Sequence, residues 1–433
     1  MTKTKTKKMF QVTKGMRDIL PEDQIYWEKV RKTVKELAES YGLKRIDTPI
    51  LEQTDLFIKG TGAFTDIVEK EMYILKTKGG DKLTLRPEFT PSIIRAYLEN
   101  GLSSKPHPIS LYSIGPIFRY EKPQKGRYRQ SEQADFEIIG EKDPVIDARL
   151  IQLCFSICKG LGLKKIITHI NSIGCPKCRP LYKKSLLNFY RNRKKEICFD
   201  CQKRLQQNPL RLLDCKQEKC IQIAEEAPQI IDKLCESCNS HFKGVLEYLD
   251  ELEIPYILNS CLVRGLDYYT KTVFEIWPEQ EEDAKQTRQV ALAGGGRYDG
   301  LTKLLGGKDT PSVGFAMGLD RIVNLMKEKN VKVVPKNRPL IFLVQLGDLG
   351  KKKLLKLFEE LRKAGIETSS SFSKNTIRDQ LDLANKLKAR LSLIIGQKEA
   401  VDETVIIKDM VSGSQEVIPL SKIVQQVKKR IKK

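Results

Sequence analysis

The chain has 433 residues, 40% of them hydrophobic, enough for two or three domains with ordinary cores and in keeping with a soluble globular protein. Lys and Arg outnumber Asp and Glu by 77 to 55, a net charge of +22 that points to a polyanion, nucleic acid first, as a partner. No uncharged run approaches the ~18 residues of a membrane span, and the basic, polar Met1 to Lys8 lacks a signal's apolar centre, so no membrane association and a cytoplasmic location are expected; the eleven cysteines are then metal ligands or free thiols rather than disulfides.

Val30, Val34, Leu37, Ala38 and Tyr41 recur at helical spacing, which predicts an amphipathic helix from Trp27 to Tyr41 ended by Gly42. Short or alternating apolar runs then predict strands at Lys82–Leu85, Ile109–Phe118 and Ala134–Ile139. From about residue 170 to residue 248 eight cysteines fall among short helical patterns and many lysines, so this segment reads as an insertion. Strand signals resume at Leu262–Ile276 and Val290–Leu292, and the glycine-rich Ala293–Gly300 leads into an amphipathic stretch at Leu301–Leu305. After a polar stretch at Lys327–Arg338, strand and helix alternate: Leu340–Leu346, Lys351–Ala364, Thr368–Phe372, Ile377–Leu387 and Leu391–Ile395. Such alternation predicts a separate small α/β domain.

Between two of the strand-like runs lies the basic loop Glu121–Gln130, long enough to reach a nucleic-acid phosphate. On the second run the period of two places Gln133, Asp135 and Glu137 on one face and Ala134, Phe136 and Ile138 on the other. The polar face is either solvated, as antiparallel strands often are, or turned to a ligand.

Gly115-Pro116-Ile117-Phe118-Arg119-Tyr120-Glu121 through Glu137 closely resembles motif 2 of class II aminoacyl-tRNA synthetases in the form seen in the histidyl-tRNA synthetase family. The likeness continues in order through Lys14–Asp18, the motif 1 region at Pro49–Glu52, Thr65–Tyr73, Leu85–Thr90, and a motif 3 at Pro311–Arg321. Most specific are Leu262-Val263-Arg264-Gly265-Leu266-Asp267-Tyr268-Tyr269 and Ala293-Gly294-Gly295-Gly296-Arg297-Tyr298-Asp299-Gly300, similar to the two histidine motifs of that family.

The resemblance implies an α+β class II synthetase core with an antiparallel sheet, a cysteine-rich insertion and a C-terminal α/β anticodon-binding domain. The division is 1–169 and 249–330 for the core, 170–248 for the insertion and 336–433 for the anticodon-binding domain. It implies a ligase that joins L-histidine to ATP as an adenylate and then to tRNA(His), with Mg²⁺ accompanying the ATP, in a homodimer built through motif 1. Arg119 and Arg264 would be catalytic at the α-phosphate, with Arg264 also near the substrate carboxylate, and Arg119 and Arg321 would bind ATP. Guanidinium groups suit this because they stay charged and present planar forks. Glu88, Thr90, Gln133, Glu137, Arg264, Tyr268 and Tyr269 would bind histidine, and Gln124, Arg127 and Arg129 the tRNA acceptor end. A pocket hydrogen-bonding both imidazole nitrogens can reject analogues by ~10⁴-fold or more, so no editing site is expected. Thr90, before Pro91, is also suited to a helix N-cap. The sequence departs from the family at Ser131-Glu132, where an aromatic followed by His or another aromatic is usual, and at Lys122, which keeps the charge of a frequent Arg but loses its fork.

Cys175-x-x-Cys178 and Cys198-x-x-Cys201, nineteen residues apart, fit a four-thiolate structural Zn²⁺ site, with Cys215, Cys220, Cys235 and Cys238 as a second set. Cys154 and Cys158 read as buried apolar residues, and Cys261 carries no metal signal. The lysine-rich end, Lys428–Lys433, reads as a solvated helix end or an RNA contact. The alternative function is a non-catalytic paralogue acting as regulatory subunit of ATP phosphoribosyltransferase; such paralogues generally lack the anticodon domain and parts of the histidine motifs.

Overall fold

The first predicted helix occupies Pro21–Ser40 in the computed structural model of the chain, which describes residues 10–124, 126–279, 291–333 and 341–431. Pro21 opens it, where a missing N–H costs nothing, and Trp27, Val30, Val34 and Ala38 form its buried stripe. That stripe and the apolar side of helix Pro144–Gly160, including Cys154 and Cys158, cover one face of a large sheet through Phe136, Phe274 and Phe315.

Among the described residues the sheet has eight strands, in the order Lys44–Arg45, Ile109–Phe118, Gln130–Ile139, Ser312–Gly318, Ala293–Arg297, Thr270–Pro278, Ile166–Ser172 and Tyr256–Leu258. The six inner strands are antiparallel and the two short outer ones pair parallel. The strands expected at Lys82–Leu85 and Ile109–Phe118 have those bounds, and the third begins earlier, at Gln130. The run Leu262–Ile276 is strand only from Thr270, continuing to Pro278. Tyr268 and Tyr269 are both buried although adjacent, which a strand with one face turned outward does not permit. The glycine-rich Ala293–Arg297 is itself a central strand; Val290 lies outside the described residues.

Residues 170–248 do not form a body with a core of its own. Residues 170–172 complete the strand Ile166–Ser172, helix Glu236–Glu251 packs on helix Pro144–Gly160, and Tyr182, Tyr190 and Leu212 join one apolar cluster with Phe89, Tyr268 and Tyr269. The return of the chain is fixed by a buried polar knot: Arg297 donates from Nε to Asp147 at 2.8 Å and to His241 of that helix at 3.2 Å, and its two terminal nitrogens reach the carbonyls of Glu141 and Asp143. Arg297 of the second histidine motif is thereby a structural residue, satisfied on all sides.

The chain divides into units 1–333 and 334–433. The second has strands in the order Thr368–Ser370, Ile341–Gln345, Leu391–Ile395, Thr404–Asp409, Gln415–Pro419, the first three parallel and the rest antiparallel. Helices Gly347–Lys363 and Ile423–Ile431 pack on a core of Leu343, Leu354, Leu393 and Ile407. The expected alternation is present, with an antiparallel pair added at the end. Met1–Lys8, Lys336–Arg338, Leu340, Lys432 and Lys433 lie outside the described residues.

Candidate active site

The strand Gln130–Ile139 decides the character of the site. Ala134, Phe136 and Ile138 enter the core, and the opposite face is not solvated: Asp135 and Glu137 are each 1% exposed. They lie under a cleft walled by Arg119, Arg127, Arg264 and Arg321, with Glu88, Thr90, Gln133, Tyr268, Tyr269 and Tyr298 deeper in.

At the cationic end, Arg119 follows the strand Ile109–Phe118 and donates from Nε to Pro87 O at 2.8 Å. Arg321, in the first turn of helix Leu319–Glu328, donates to Ala291 O at 2.8 Å and Gly126 O at 3.3 Å. Burial, and next the guanidinium of Arg127, lower its pKa to about 10, against the opposing pull of Glu121 and Glu275. Arg127 has the carboxylate of Glu121 at 3.7 Å, and its buried Nε has no hydrogen-bond partner among the described residues. Arg264 pairs with Glu275, is held above its ordinary pKa by that carboxylate and the two tyrosines despite burial, and its Nε likewise has no partner among the described residues. A Cβ at Gly294 would lie 2.5 Å from Arg264 Nη1, so the glycine of the second histidine motif makes room for the arginine of the first.

At the inner end two carboxylates are clamped by hydroxyls. Glu88 accepts from Thr61 Oγ1 and Tyr268 OH, both at 2.7 Å. Glu137 accepts from Thr90 Oγ1 at 2.6 Å and from Tyr298 OH, and it sits one layer beneath the cleft, reaching it through those two residues. The hydroxyl of Thr90 is thus spent on Glu137; Thr90 is the first residue of helix Thr90–Glu99, and the expected N-cap bond is not made. Gly314 admits the carboxylate, since a Cβ there would lie 1.6 Å from Glu137 Oε2. Burial raises the pKa of Glu88, of Asp135 and of Glu137, the last to about 8. Like charge adds to it, Glu137 and Glu88 acting on Asp135 and Glu88 acting on Glu137. Asp135 Oδ2 and Gln133 Oε1 are buried with no hydrogen-bond partner among the described residues. A cleft with spare guanidinium donors at one end and spare acceptors at the other is built for a ligand that is anionic at one end and cationic at the other.

The motif 2 loop is folded back on itself. Arg129 stacks its guanidinium 3.7 Å from the centre of the Tyr120 ring and its amide donates to Gly15 O, whereas Gln124 is exposed and Arg127 faces the cleft. Lys122 is exposed, and Lys125 lies outside the described residues. Glu132, of the unusual Ser131-Glu132, takes a two-pronged ion pair from Arg31 of the first helix, and its amide donates to Asp320, itself paired with Arg17 at 2.6 Å.

Tyr298, Asp135 and Glu275 belong to the site but were not singled out from sequence. Alternation on the Gln130–Ile139 strand already put Asp135 on the right face, and Tyr298 lay inside a quoted motif; nothing in the sequence pairs Glu275 with Arg264.

The cysteines are grouped differently from the spacing. Cys175, Cys178, Cys235 and Cys238 bring their sulfurs together, as do Cys198, Cys201, Cys215 and Cys220, every sulfur within 4.8 Å of the others in its group. The set Cys175, Cys178, Cys198 and Cys201 is therefore not assembled. Helix Arg179–Arg191, about 20 Å long at ~1.5 Å per residue, carries the chain away from the first pair before Cys198 is reached.

The sequence model of the family described as Histidyl-tRNA synthetase matches residues 15–175 and 202–322, and that of the Anticodon binding domain matches 331–430. A histidine–tRNA ligase of Dehalococcoides mccartyi is 43% identical, covering 98% of this chain and 100% of that protein, and one of Pelotomaculum thermopropionicum is 40% identical over 96% and 97%. The structure of the apo histidyl-tRNA synthetase of S. aureus superposes with a TM-score of 0.80 at 34% identity, over 96% of this chain and 99% of that one. A Bacillus halodurans structure titled as an ATP phosphoribosyltransferase regulatory subunit/histidyl-tRNA synthetase has a TM-score of 0.59 at 20% identity over 90% of this chain and 99% of that one, a likeness of fold alone. With its motifs, its class II core and its anticodon-binding domain in agreement, this chain belongs to the histidyl-tRNA synthetase family.

Proposed function

We infer that this protein is a histidine–tRNA ligase: it activates L-histidine with ATP and transfers the histidyl group to the 3′ end of tRNA(His). The observation that carries this reading is the opposed chemistry of one cleft, crowded arginines at one end and buried carboxylates at the other. The histidine carboxylate attacks the α-phosphorus of ATP and pyrophosphate departs, so negative charge gathers on phosphoryl oxygens in the transition state. Arg119 and Arg264 are assigned to the α-phosphate and the attacking carboxylate, and Arg321, crowded by Arg127, to the terminal phosphates. Glu88, held by Thr61 and Tyr268, is suited to the α-ammonium, and Gln133, Tyr268 and Tyr269 to the side chain. Glu137 orients Thr90 and Tyr298 and supplies negative charge from below.

Mg²⁺ would accompany the triphosphate and lower the charge repulsion there; Glu121, beside Arg127 in the cleft, and Glu71, raised in pKa by burial and by Glu121, fit a hard cation. Gln124, Arg127 and Arg129 are assigned to the acceptor end, Arg129 by holding the loop as well as by charge. Zinc in the cysteine-rich segment has a structural part in this reading, because an all-thiol donor set leaves no open position for substrate. No described helix is long and apolar enough to cross a membrane, which accords with action in the cytoplasm.

Residues 1–169 and 249–330 are assigned to catalysis, 170–248 to the cysteine-rich insertion and 336–433 to anticodon binding, the last two on the same chain as every ATP-contact arginine. That combination disfavours a regulatory paralogue, which needs neither. A homodimer through the motif 1 region is supported by Leu51, Ile74 and Leu75 on the small sheet of Leu51–Gln53, Lys82–Leu85 and Tyr73–Lys76 and by Ile50 just before it, all more than 40% exposed. The deciding experiment is ATP–pyrophosphate exchange with each standard amino acid: histidine alone should support it, and no exchange by folded protein returns the regulatory reading.

A further inference from the structure

Eight of the cysteines converge in two groups of four, each group containing thiols only among the described residues. The sulfurs of Cys175 and Cys178 are 3.7 Å apart, those of Cys175 and Cys235 3.9 Å, and those of Cys198 and Cys215 3.8 Å. Four thiolates at ~2.3 Å from a central Zn²⁺ in a tetrahedron stand ~3.8 Å from one another. The spacing is therefore that of sulfurs arranged around an ion, and it is too long for S–S bonds, which measure ~2.05 Å.

The two groups repeat one design. In each, a half-exposed cysteine alternates with a buried one along the chain. The amide of Cys235 donates to Cys178 Sγ at 3.1 Å, and the amide of Cys198 to Cys220 Sγ at 3.3 Å. Cys198 and Cys235 stand immediately before helices Phe199–Gln207 and Glu236–Glu251, with Cys201 and Cys238 in the first turns, where free N–H groups favour a thiolate.

Deepening the structural-zinc reading above, we propose that this chain holds two zinc ions in nested tetrathiolate sites, an outer one on Cys175, Cys178, Cys235 and Cys238 and an inner one on Cys198, Cys201, Cys215 and Cys220. The outer ion closes the segment where it leaves and rejoins the catalytic sheet, between strand Ile166–Ser172 and helix Glu236–Glu251. The inner ion ties together helices Phe199–Gln207 and Glu218–Glu225 within that loop. Binding converts eight thiols to thiolates and releases their protons, and the ions pin a lysine-rich segment whose buried side chains, Tyr182, Tyr190 and Leu212 among them, pack into a core shared with Phe89, Tyr268 and Tyr269.

The pairing is tested by metal analysis of the full chain purified without chelator from zinc-supplemented cells. Two zinc ions per chain are expected. Cys175→Ser/Cys235→Ser should retain one ion and Cys175→Ser/Cys198→Ser none; the sequential pairing of 175, 178, 198 and 201 reverses these two results and would overturn the assignment. Should the variants precipitate, cadmium-113 exchanged into the unmutated chain should give two resonances in the tetrathiolate range, each coupled to the β-protons of its own four cysteines. A single resonance, or coupling that crosses the groups, overturns the proposal. So does fewer than two ions in a folded chain that still exchanges pyrophosphate with histidine, an outcome that leaves the ligase reading intact.

Discussion

Arg264 combines burial with a spare donor: Glu275 holds it in place, Gly294 gives it room, and its Nε has no hydrogen-bond partner among the described residues. Arg264→Ala, made with Glu275→Gln so that no lone carboxylate remains, should lower single-turnover adenylate formation on the order of 100-fold while changing histidine affinity far less. An unchanged single-turnover rate would remove Arg264 from the reaction. The carboxylates carry a pH signature. Burial holds Glu137 at about 8, with Glu88 and Asp135 also raised, so the folded chain keeps protons that the unfolded chain loses near pH ~4. The contribution of these three carboxyls to the stability of the free enzyme should therefore be full below that pH and be lost as pH rises through about 8. A substrate ammonium favours the ionised carboxylates, so histidine should bind more tightly as pH rises towards 8 and displace protons at neutral pH. Calorimetry in buffers of different ionisation enthalpy reads this release; Glu137→Gln should release fewer protons, and equal release by both would show that Glu137 does not sense the substrate.

At the scale of elements, periodicity made the hairpin of Ile109–Phe118 and Gln130–Ile139 legible, because a strand with one face in the core must alternate. It could not distinguish a solvated polar face from a ligand-facing one, since both have the same period; only the resemblance of the flanking motifs did. The pairing of the cysteines was illegible for a related reason. Spacing within Cys175-x-x-Cys178 is local, but which pairs meet depends on where helix Arg179–Arg191 carries the chain. That helix also links the first cysteine group to the pocket: Arg179, next to Cys178, donates to the carbonyls of Ile173 and Tyr269. Loss of one such charged hydrogen bond, at roughly 1.5–3 kcal/mol, should let Tyr269 move, so Arg179→Ala is expected to raise the KM for histidine about tenfold or more with little change in the KM for ATP. An unaltered KM for histidine would mean that Tyr269 is held by other contacts. The strand Ser312–Gly318 offers a sharper case. Gly314→Ala sets a methyl 1.6 Å from the Glu137 carboxylate, and a shift of the strand or of Glu137 should abolish histidine activation before it unfolds the chain, as circular dichroism on an inactive variant would show.

On the scale of the molecule, the alternation of strand and helix beyond residue 340 announces a separate α/β unit without its last two antiparallel strands: Gln415–Pro419 buries only Ile418 and carries little signal, whereas in Thr404–Asp409 the alternation of Val405 and Ile407 into the core was there to be read. The two units have separate cores, one around Phe136, Phe274 and Phe315 and the other around Leu343, Leu354 and Leu393. All the residues assigned to adenylate formation belong to the first unit. A chain ended after Val333 should therefore retain histidine-dependent pyrophosphate exchange, because it keeps every residue assigned above to histidine or ATP. It should charge tRNA poorly, because the unit that matches the anticodon-binding family is gone. The net charge of +22 adds a second expectation, that charging by the full chain weakens steeply with salt as counterions cease to be released. If the truncated chain binds tRNA as tightly as the full one across a salt series, the acceptor-end contacts at Gln124, Arg127 and Arg129 carry the affinity alone and the second unit has another purpose. If instead exchange is lost with the tail while the remaining chain is folded, the adenylation site is not confined to the first unit.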